Sequence, residues 1–145
     1  MNISSENPES GFNILQGLIL ITISLILAVV VLAAYSSAKR TARDAERVSD
    51  VLQLQKALKY YYEEFGYYPQ ASNKVAVGVD NAFSRFVSPW PAPPKPADGL
   101  CTDQHNVYAY EQLNGGDGYI LTFCLGEGYG NLKPGLRSAT PTGYQ

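Results

Sequence analysis

The chain has 145 residues, and its 11 basic and 13 acidic side chains give a formal net charge of −2 at pH 7. So little net charge excludes the strong positive field of a phosphate-binding protein, and no nucleic-acid partner is predicted. The sequence has one histidine, His105, and none of the zinc-protease, nucleophile-elbow or phosphate-loop motifs. It therefore predicts no enzyme, no cofactor and no metal site.

An apolar run dominates the N-terminal part of the chain. Residues 11–38 contain no Asp, Glu, Lys, Arg or His, and a helix needs only about 20 apolar residues to cross a bilayer. Residues 12–38 are therefore predicted to form a transmembrane helix. An ordinary cleaved secretory signal is not expected, because such a signal has a basic start and a shorter apolar run, whereas the first ten residues here contain no Lys or Arg.

The basic residues bear on the topology of this span. They follow the apolar run instead of preceding it, which by the positive-inside rule favours a cytoplasmic position for the rest of the chain. A dedicated export and processing route would override that preference.

The helical pattern continues as an amphipathic stretch over residues 39–66. No proline lies between Phe12 and Phe65, and Gly66 followed by Pro69 is a typical helix stop. Spacings of three and four residues predict one face packed on the following domain, made of Val48, Val51, Leu52, Leu58, Tyr62 and Phe65.

Charged residues occupy the other faces of this stretch. Opposite charges three or four residues apart predict ion pairs on the helix surface, namely Arg40 with Asp44, Arg43 with Glu46, Arg47 with Asp50, and Lys59 with Glu63. The basic cluster at the start of the stretch is interpreted as a helix face beside the membrane, and it comprises Lys39, Arg40, Arg43 and Arg47.

Residues 67–145 are predicted to form a small globular head. It contains a proline-rich loop over residues 89–96 and a β-hairpin whose strands are 106–113 and 119–125, joined by the turn 114–118. The pairing Leu113 with Tyr119 is expected, and strand alternation turns four side chains towards the helix: Tyr119, Leu121, Phe123 and Leu125. The Gly-rich tail after residue 125 is predicted to be a surface loop or partly disordered.

Two cysteines, Cys101 and Cys124, lie in this head. If the membrane segment places the head outside the cytoplasm, a disulfide is expected, because oxidising compartments favour it. The alternative is a pair of unbonded buried thiols in a reducing compartment. A disulfide would connect the loop before the hairpin to its second strand.

Three stretches resemble type IV pilins and type II secretion pseudopilins. The first is Gly11-Phe12 opening the apolar run, and the second is KRTARDAERVSDVLQLQKALKYYYEEFGYYP over residues 39–69. The third is the hairpin with its cysteine pair and the closing residues 139–143. The resemblance implies an α+β, type IV pilin-like fold, in which a long N-terminal helix with a membrane-embedded first half packs on a small antiparallel β-sheet.

The resemblance also implies that residues 1–11 are a leader-like segment and that the transmembrane helix over residues 12–38 becomes a filament-core helix. A prepilin peptidase would cut between Gly11 and Phe12, and Gln16 is the subunit-contact candidate, because the family usually has Glu there. The family usually has a basic residue before the glycine, whereas this chain has Glu9-Ser10. Gln16 cannot neutralise a buried amine, so a tip subunit, a major subunit with a neutral contact, and an unprocessed membrane protein all remain open.

The function implied is a structural subunit of a type IV pilus-like or pseudopilus filament, assembled through the apolar helix. The expected partners are copies of itself or related pilins, the membrane, the prepilin peptidase and an assembly platform. The expected location is a single pass in the inner or cytoplasmic membrane, then a cell-surface or periplasmic filament. The alternative is a non-assembling, single-pass, membrane-anchored extracytoplasmic binding domain.

Overall fold

The computed structural model describes residues 13–145. The predicted processing site, Gly11 and Phe12, lies outside the described residues. Contacts divide the chain into two units at Ser37, and the second unit is Ala38–Gln145. A single helix, α1, is assigned over Ile14–Phe65.

The end of α1 follows from its sequence. Gly66 has φ +79°, and its N–H donates to the carbonyl oxygen of Tyr62. Glycine takes this left-handed conformation without the penalty that a Cβ imposes, which is why helices commonly end on it. The predicted stop at Gly66 is confirmed.

The head is built from short strands and two antiparallel sheets. The smaller sheet pairs β1 with β2, and the larger has the order β3-β4-β5-β6. A 3-10 segment, Val79–Arg85, follows the small sheet, and a shorter one, Asn114–Gly116, joins β3 to β4. The strands are β1 Ala71–Ser72, β2 Val75–Ala76, β3 Ala109–Leu113, β4 Gly118–Leu125, β5 Gly135–Thr140 and β6 Gly143–Tyr144. A long helix with antiparallel sheets makes this an α+β protein.

The hairpin register differs by one residue from the prediction. Leu113 pairs with Gly118 and not with Tyr119, because the turn closes one residue earlier. Asn114 and Gly115 adopt positive φ angles of 51° and 69°, and these tight local conformations shorten the connection. The inward side chains are unaffected, since alternation along β4 does not depend on the partner strand; all four predicted positions are buried.

The C-terminal tail contains two strands, β5 and β6, so the prediction of a surface loop or partial disorder was wrong for residues 135–140 and 143–144. Cys124 of β4 pairs with Leu136 of β5, and β5 in turn pairs with β6. Only Ala139 of β5 is fully buried, so the tail carries little apolar alternation of its own. Backbone hydrogen bonds to β4 keep β5 in the sheet, and such bonds cannot be predicted from the pattern of side chains.

The helix face that packs on the head is rotated from the predicted one. Leu52 and Tyr62 are 52% and 41% exposed, so both predictions were wrong, while Phe65 is partly buried. Adjacent helical residues point about 100° apart, and the head covers Val51 and Tyr61 instead of their neighbours. The buried apolar residues of α1 are Val48, Val51, Leu54, Ala57, Leu58 and Tyr61.

Tyr61 is at the centre of an aromatic cluster. Its ring stacks on Phe65 at a centroid distance of 4.4 Å and packs against Phe83 and Phe86 at 5.9 and 5.8 Å. Such pairs add about 0.5–1.5 kcal/mol each beyond the area they bury. The end of the helix is therefore fixed on the head by stacked rings.

Gly78 is the close neighbour of that cluster and yields a testable prediction. A Cβ on Gly78 would lie 2.7 Å from the hydroxyl oxygen of Tyr61, and Gly78 has φ +68°. We expect Gly78→Ala to lower the free energy of unfolding by about 2–4 kcal/mol, since overpacking adds to backbone strain.

Gly115→Ala is the matched control for this substitution. Gly115 has φ +69°, yet a Cβ at this position would have no other atom within 4 Å, so it tests the backbone strain alone. Chemical denaturation in detergent micelles measures both variants. Equal losses of stability in the two would contradict the close packing of Tyr61 on Gly78.

Candidate functional site

The first half of α1 presents an apolar surface. Its large apolar side chains are exposed, from 47% at Ile23 to 89% at Ile14. The hydroxyls of Thr22 and Ser24 donate to the helix's own carbonyl oxygens, those of Ile19 and Leu20, at 2.8 Å each. By length and composition this helix is long and apolar enough to cross a membrane.

The N-terminal end of α1 carries a reciprocal cap. The side-chain Oδ1 of Asn13 accepts from the N–H of Leu15 at 3.2 Å, and Oε1 of Gln16 accepts from the N–H of Asn13 at 3.5 Å. These contacts satisfy N–H groups that have no partner inside the helix. Gln16, the predicted subunit-contact residue, is thus exposed beside the helix terminus.

The arginines after the apolar half pair with the head. Arg40 binds Glu127 at 2.9 Å, and Nε of Arg43 donates to Asp98 at 2.7 Å. The surface pairs predicted within the helix for Arg40, Arg43 and Arg47 are replaced by these contacts and by those of Arg47 below. The predicted pair of Lys59 with Glu63 is present at 3.6 Å.

Asp44 is a fully buried carboxylate held by backbone amides. Its oxygens accept from the N–H groups of Gly126, Glu127 and Gly128 at 2.8, 2.8 and 2.9 Å. Arg47 donates to the same carboxylate at 2.7 Å. A buried charge is tolerated only when it is paired and hydrogen-bonded, and Asp44 meets both conditions.

Arg47 is the fully buried partner of that carboxylate. Besides Asp44, its guanidinium donates to Asp98 at 3.0 Å and to Asn106 at 3.3 Å. The side chain of Asn106 in turn donates to the carbonyl oxygen of Pro94 at 3.0 Å. The proline-rich loop and the residues after it are therefore fixed to α1 by polar contacts.

The sequence interpretation missed this buried network. Asp44 precedes Val48 by four residues and Arg47 precedes Val51 by four, so both lie on the stripe that the head covers. Their charge favoured an assignment to the solvent face. Their position on the apolar stripe is the sequence signal that could have predicted their burial. The glycines Gly126 and Gly128, whose N–H groups bind Asp44, are a second signal.

The two cysteines form a disulfide, with sulfurs 2.08 Å apart and Cα atoms 5.7 Å apart. Both cysteines are buried. Cys124 lies in β4 just before Gly126, and the N–H of Cys101 donates to the carbonyl oxygen of Asp98 at 2.9 Å. The bond thus joins the two segments that bind Asp44 and Arg47.

Buried tyrosines add two further polar anchors. The Tyr108 hydroxyl donates to Asp50 at 2.8 Å, and the Tyr110 hydroxyl donates to the carbonyl oxygen of Pro69 at 2.7 Å. Burial raises the pKa of both phenols well above the usual value, and the carboxylate of Asp50 raises the pKa of Tyr108 further. Both phenols therefore stay protonated as donors at neutral pH.

The exposed Leu52 and Tyr62 line a groove of about 670 Å³. Tyr68 stands between Tyr62 and Tyr119, with ring centroids 4.7 and 4.8 Å away.

His105 is exposed, and its Nδ1 shares a hydrogen bond with Thr102 at 3.1 Å. Within residues 13–145, no group of three or more His, Cys, Asp or Glu side chains is placed to hold a metal ion.

The fold and these surfaces define an α+β protein with a disulfide-bonded head and an N-terminal helix long and apolar enough to cross a membrane. No protein-family model, curated protein or solved structure matches this chain. Any assignment of function therefore rests on the residues and geometry described above.

Proposed function

We propose that this protein is a structural subunit of a type IV pilus-like or pseudopilus filament, assembled through the apolar half of α1. The observation that carries the proposal is the contrast along one helix. Large apolar side chains are exposed over residues 14–35, whereas the stripe from Asp44 to Tyr61 is covered by the head. The first part needs an apolar environment that residues 13–145 do not supply.

Two environments meet that need, namely lipid and the same helices of neighbouring copies. Transfer from one to the other exposes no apolar surface to water, so the hydrophobic effect does not oppose it. A contact that repeats from one copy to the next without closing produces an open fibre. The subunit would begin as a single-pass protein of the inner or cytoplasmic membrane and end in a cell-surface or periplasmic filament.

The sequence at Gly11-Phe12 supports processing before assembly. Cleavage there by a prepilin peptidase would leave Phe12 as the first residue, and an assembly platform would then transfer the subunit. Gln16 would lie one helical turn from the new terminus and offer a neutral hydrogen-bonding contact to an adjacent copy.

The experiment is intact mass spectrometry on protein from the native membrane and from sheared, sedimentable surface material. We expect the loss of residues 1–11 in both fractions, with Phe12 at the N-terminus, and filaments visible by electron microscopy in the sheared fraction. Gly11→Val is the matched variant, because it blocks a peptidase that requires glycine while leaving the described residues unchanged.

An unprocessed N-terminus would contradict the proposal. A wild-type chain that begins at Met1 or Asn2 and stays in the membrane fraction would overturn the filament assignment. The protein would then be a permanently anchored extracytoplasmic binding domain, and the groove at Leu52 and Tyr62 would be the first surface to test for a ligand.

A further inference from the structure

Three segments of the unit Ala38–Gln145 meet around the buried ion pair of Asp44 and Arg47. Residues 40–47, named here the helix segment, supply Arg40, Arg43, Asp44 and Arg47. Residues 98–106, named the junction loop, supply Asp98 and Asn106. Residues 126–128, named the glycine turn, supply three N–H groups to the carboxylate of Asp44.

The helix segment makes these polar contacts with only the other two segments. Arg43 and Arg47 bind Asp98 of the junction loop, while Arg40 and Asp44 bind the glycine turn. Its charges are costly to bury without those partners: the side chains of Asp44 and Arg47 are 0% exposed. The buried charges of Asp44 and Arg47 are thus satisfied only when both partner segments are in place.

The disulfide connects these two partner segments. Cys101 lies in the junction loop, and Cys124 is separated from the glycine turn by a single residue, Leu125. Apart from the disulfide, the hydrogen bond from the N–H of Leu100 to the carbonyl oxygen of Gly126 links them at 3.2 Å. The two segments also touch directly, since a Cβ on Gly99 would lie 2.1 Å from the carbonyl oxygen of Gly126. The disulfide is the one covalent bond that holds Asp98 near the three amides.

We propose that the Cys101–Cys124 disulfide is a redox-dependent clamp on the helix segment. Oxidation holds the junction loop and the glycine turn around Asp44 and Arg47, and reduction weakens this hold, so that the helix segment opens from the head more readily. The rest of the core stays folded in both states, because the side-chain packing on α1 and the backbone pairing of β3 with β4 remain without the Cys101–Cys124 bond. That remainder includes Leu54, Leu58, Tyr61, Phe83 and Tyr110.

The chemistry is an ordinary thiol–disulfide exchange. A dithiol reductant attacks one sulfur, the Cys101–Cys124 bond breaks, and the reductant becomes a cyclic disulfide. The two cysteines gain two electrons and two protons in total, and end as thiols. The reverse step needs a protein or small-molecule disulfide as oxidant, which an oxidising extracytoplasmic compartment supplies.

Hydrogen–deuterium exchange of the full chain in detergent micelles tests the clamp. The oxidised protein is compared with protein treated with dithiothreitol, and complete reduction is verified by the mass of the two added hydrogens. We expect exchange to accelerate about tenfold or more in peptides covering 40–50, 98–106 and 124–130, because local opening there becomes easier. Peptides covering 54–61 and 109–120 should change by less than about twofold on the same principle.

Two variants separate the clamp from a general loss of stability. The double variant Cys101→Ser with Cys124→Ser should reproduce the reduced pattern without reductant and should not respond to dithiothreitol. Asp98→Asn keeps the disulfide and should accelerate exchange in residues 40–50 while leaving 54–61 protected.

Two outcomes would overturn the proposal. Equal acceleration over the entire head, including 54–61, would mean that the disulfide stabilises the fold as a whole. Unchanged exchange in residues 40–50 of the fully reduced protein would mean that the helix segment docks without the disulfide. Neither result bears on filament assembly, so the two proposals fail separately.

Discussion

Leu58→Asp is expected to unfold the head, whereas Leu52→Asp leaves it folded. Leu58 is 0% exposed and Leu52 is 52% exposed, although the two residues lie on the same helix and carry the same side chain. An aspartate at position 58 would bury a charge without a partner, which we expect to cost more than about 4 kcal/mol. Near-ultraviolet circular dichroism of the aromatic cluster and chemical denaturation in micelles measure the effect.

The pair of variants tests the orientation of the helix independently of any function. Loss of the aromatic circular dichroism signal in Leu58→Asp and its retention in Leu52→Asp is the expected result. If Leu52→Asp unfolded the head as readily, the packed stripe assigned to α1 would be wrong. Equal stability of both variants would contradict the burial of Leu58.

Asp44→Ala is expected to be the most damaging change of a polar residue. The substitution removes the shared acceptor of three backbone N–H groups and one of the two carboxylates that bind the buried guanidinium of Arg47, which keeps Asp98. Breaking a buried ion pair from one side costs about 3–5 kcal/mol. The free energy of unfolding from chemical denaturation should fall by that amount.

Glu46→Ala is the matched control, because Glu46 is an exposed acid on the same turn of α1. Removing an exposed acid should change the free energy of unfolding by about 0.5 kcal/mol or less. Asp44→Asn adds a finer test, since it keeps an oxygen acceptor for the amides but loses the charge. A wild-type stability in Asp44→Ala would show that the buried network contributes nothing.

Several features of the fold are accessible from sequence because they depend on neighbouring residues alone. Helix formation up to Phe65 follows from the absence of proline and from Gly66, and the inward side chains of β4 follow from alternation. The presence of an apolar span follows from composition. None of these requires knowledge of a distant segment.

The errors share a different cause. The sequence pattern favours Leu52 over Leu54 and Tyr62 over Tyr61, yet the spacing admits both stripes and only the position of the head selects one. The sequence of the tail shows no strand pattern, because β5 is held by backbone hydrogen bonds to β4 and not by alternating apolar side chains. Long-range partners decide such choices, and they leave no local pattern.

The sequence by itself determined that this protein has an apolar helix long enough for a bilayer, an amphipathic continuation and a cysteine-containing β head. The tertiary structure alone decided that Asp44 and Arg47 are buried and that the disulfide joins the segments which bind them. The physical reason is that periodicity and composition act over a few residues. The cost of burying a charge depends instead on which distant amides and carboxylates the fold brings to it.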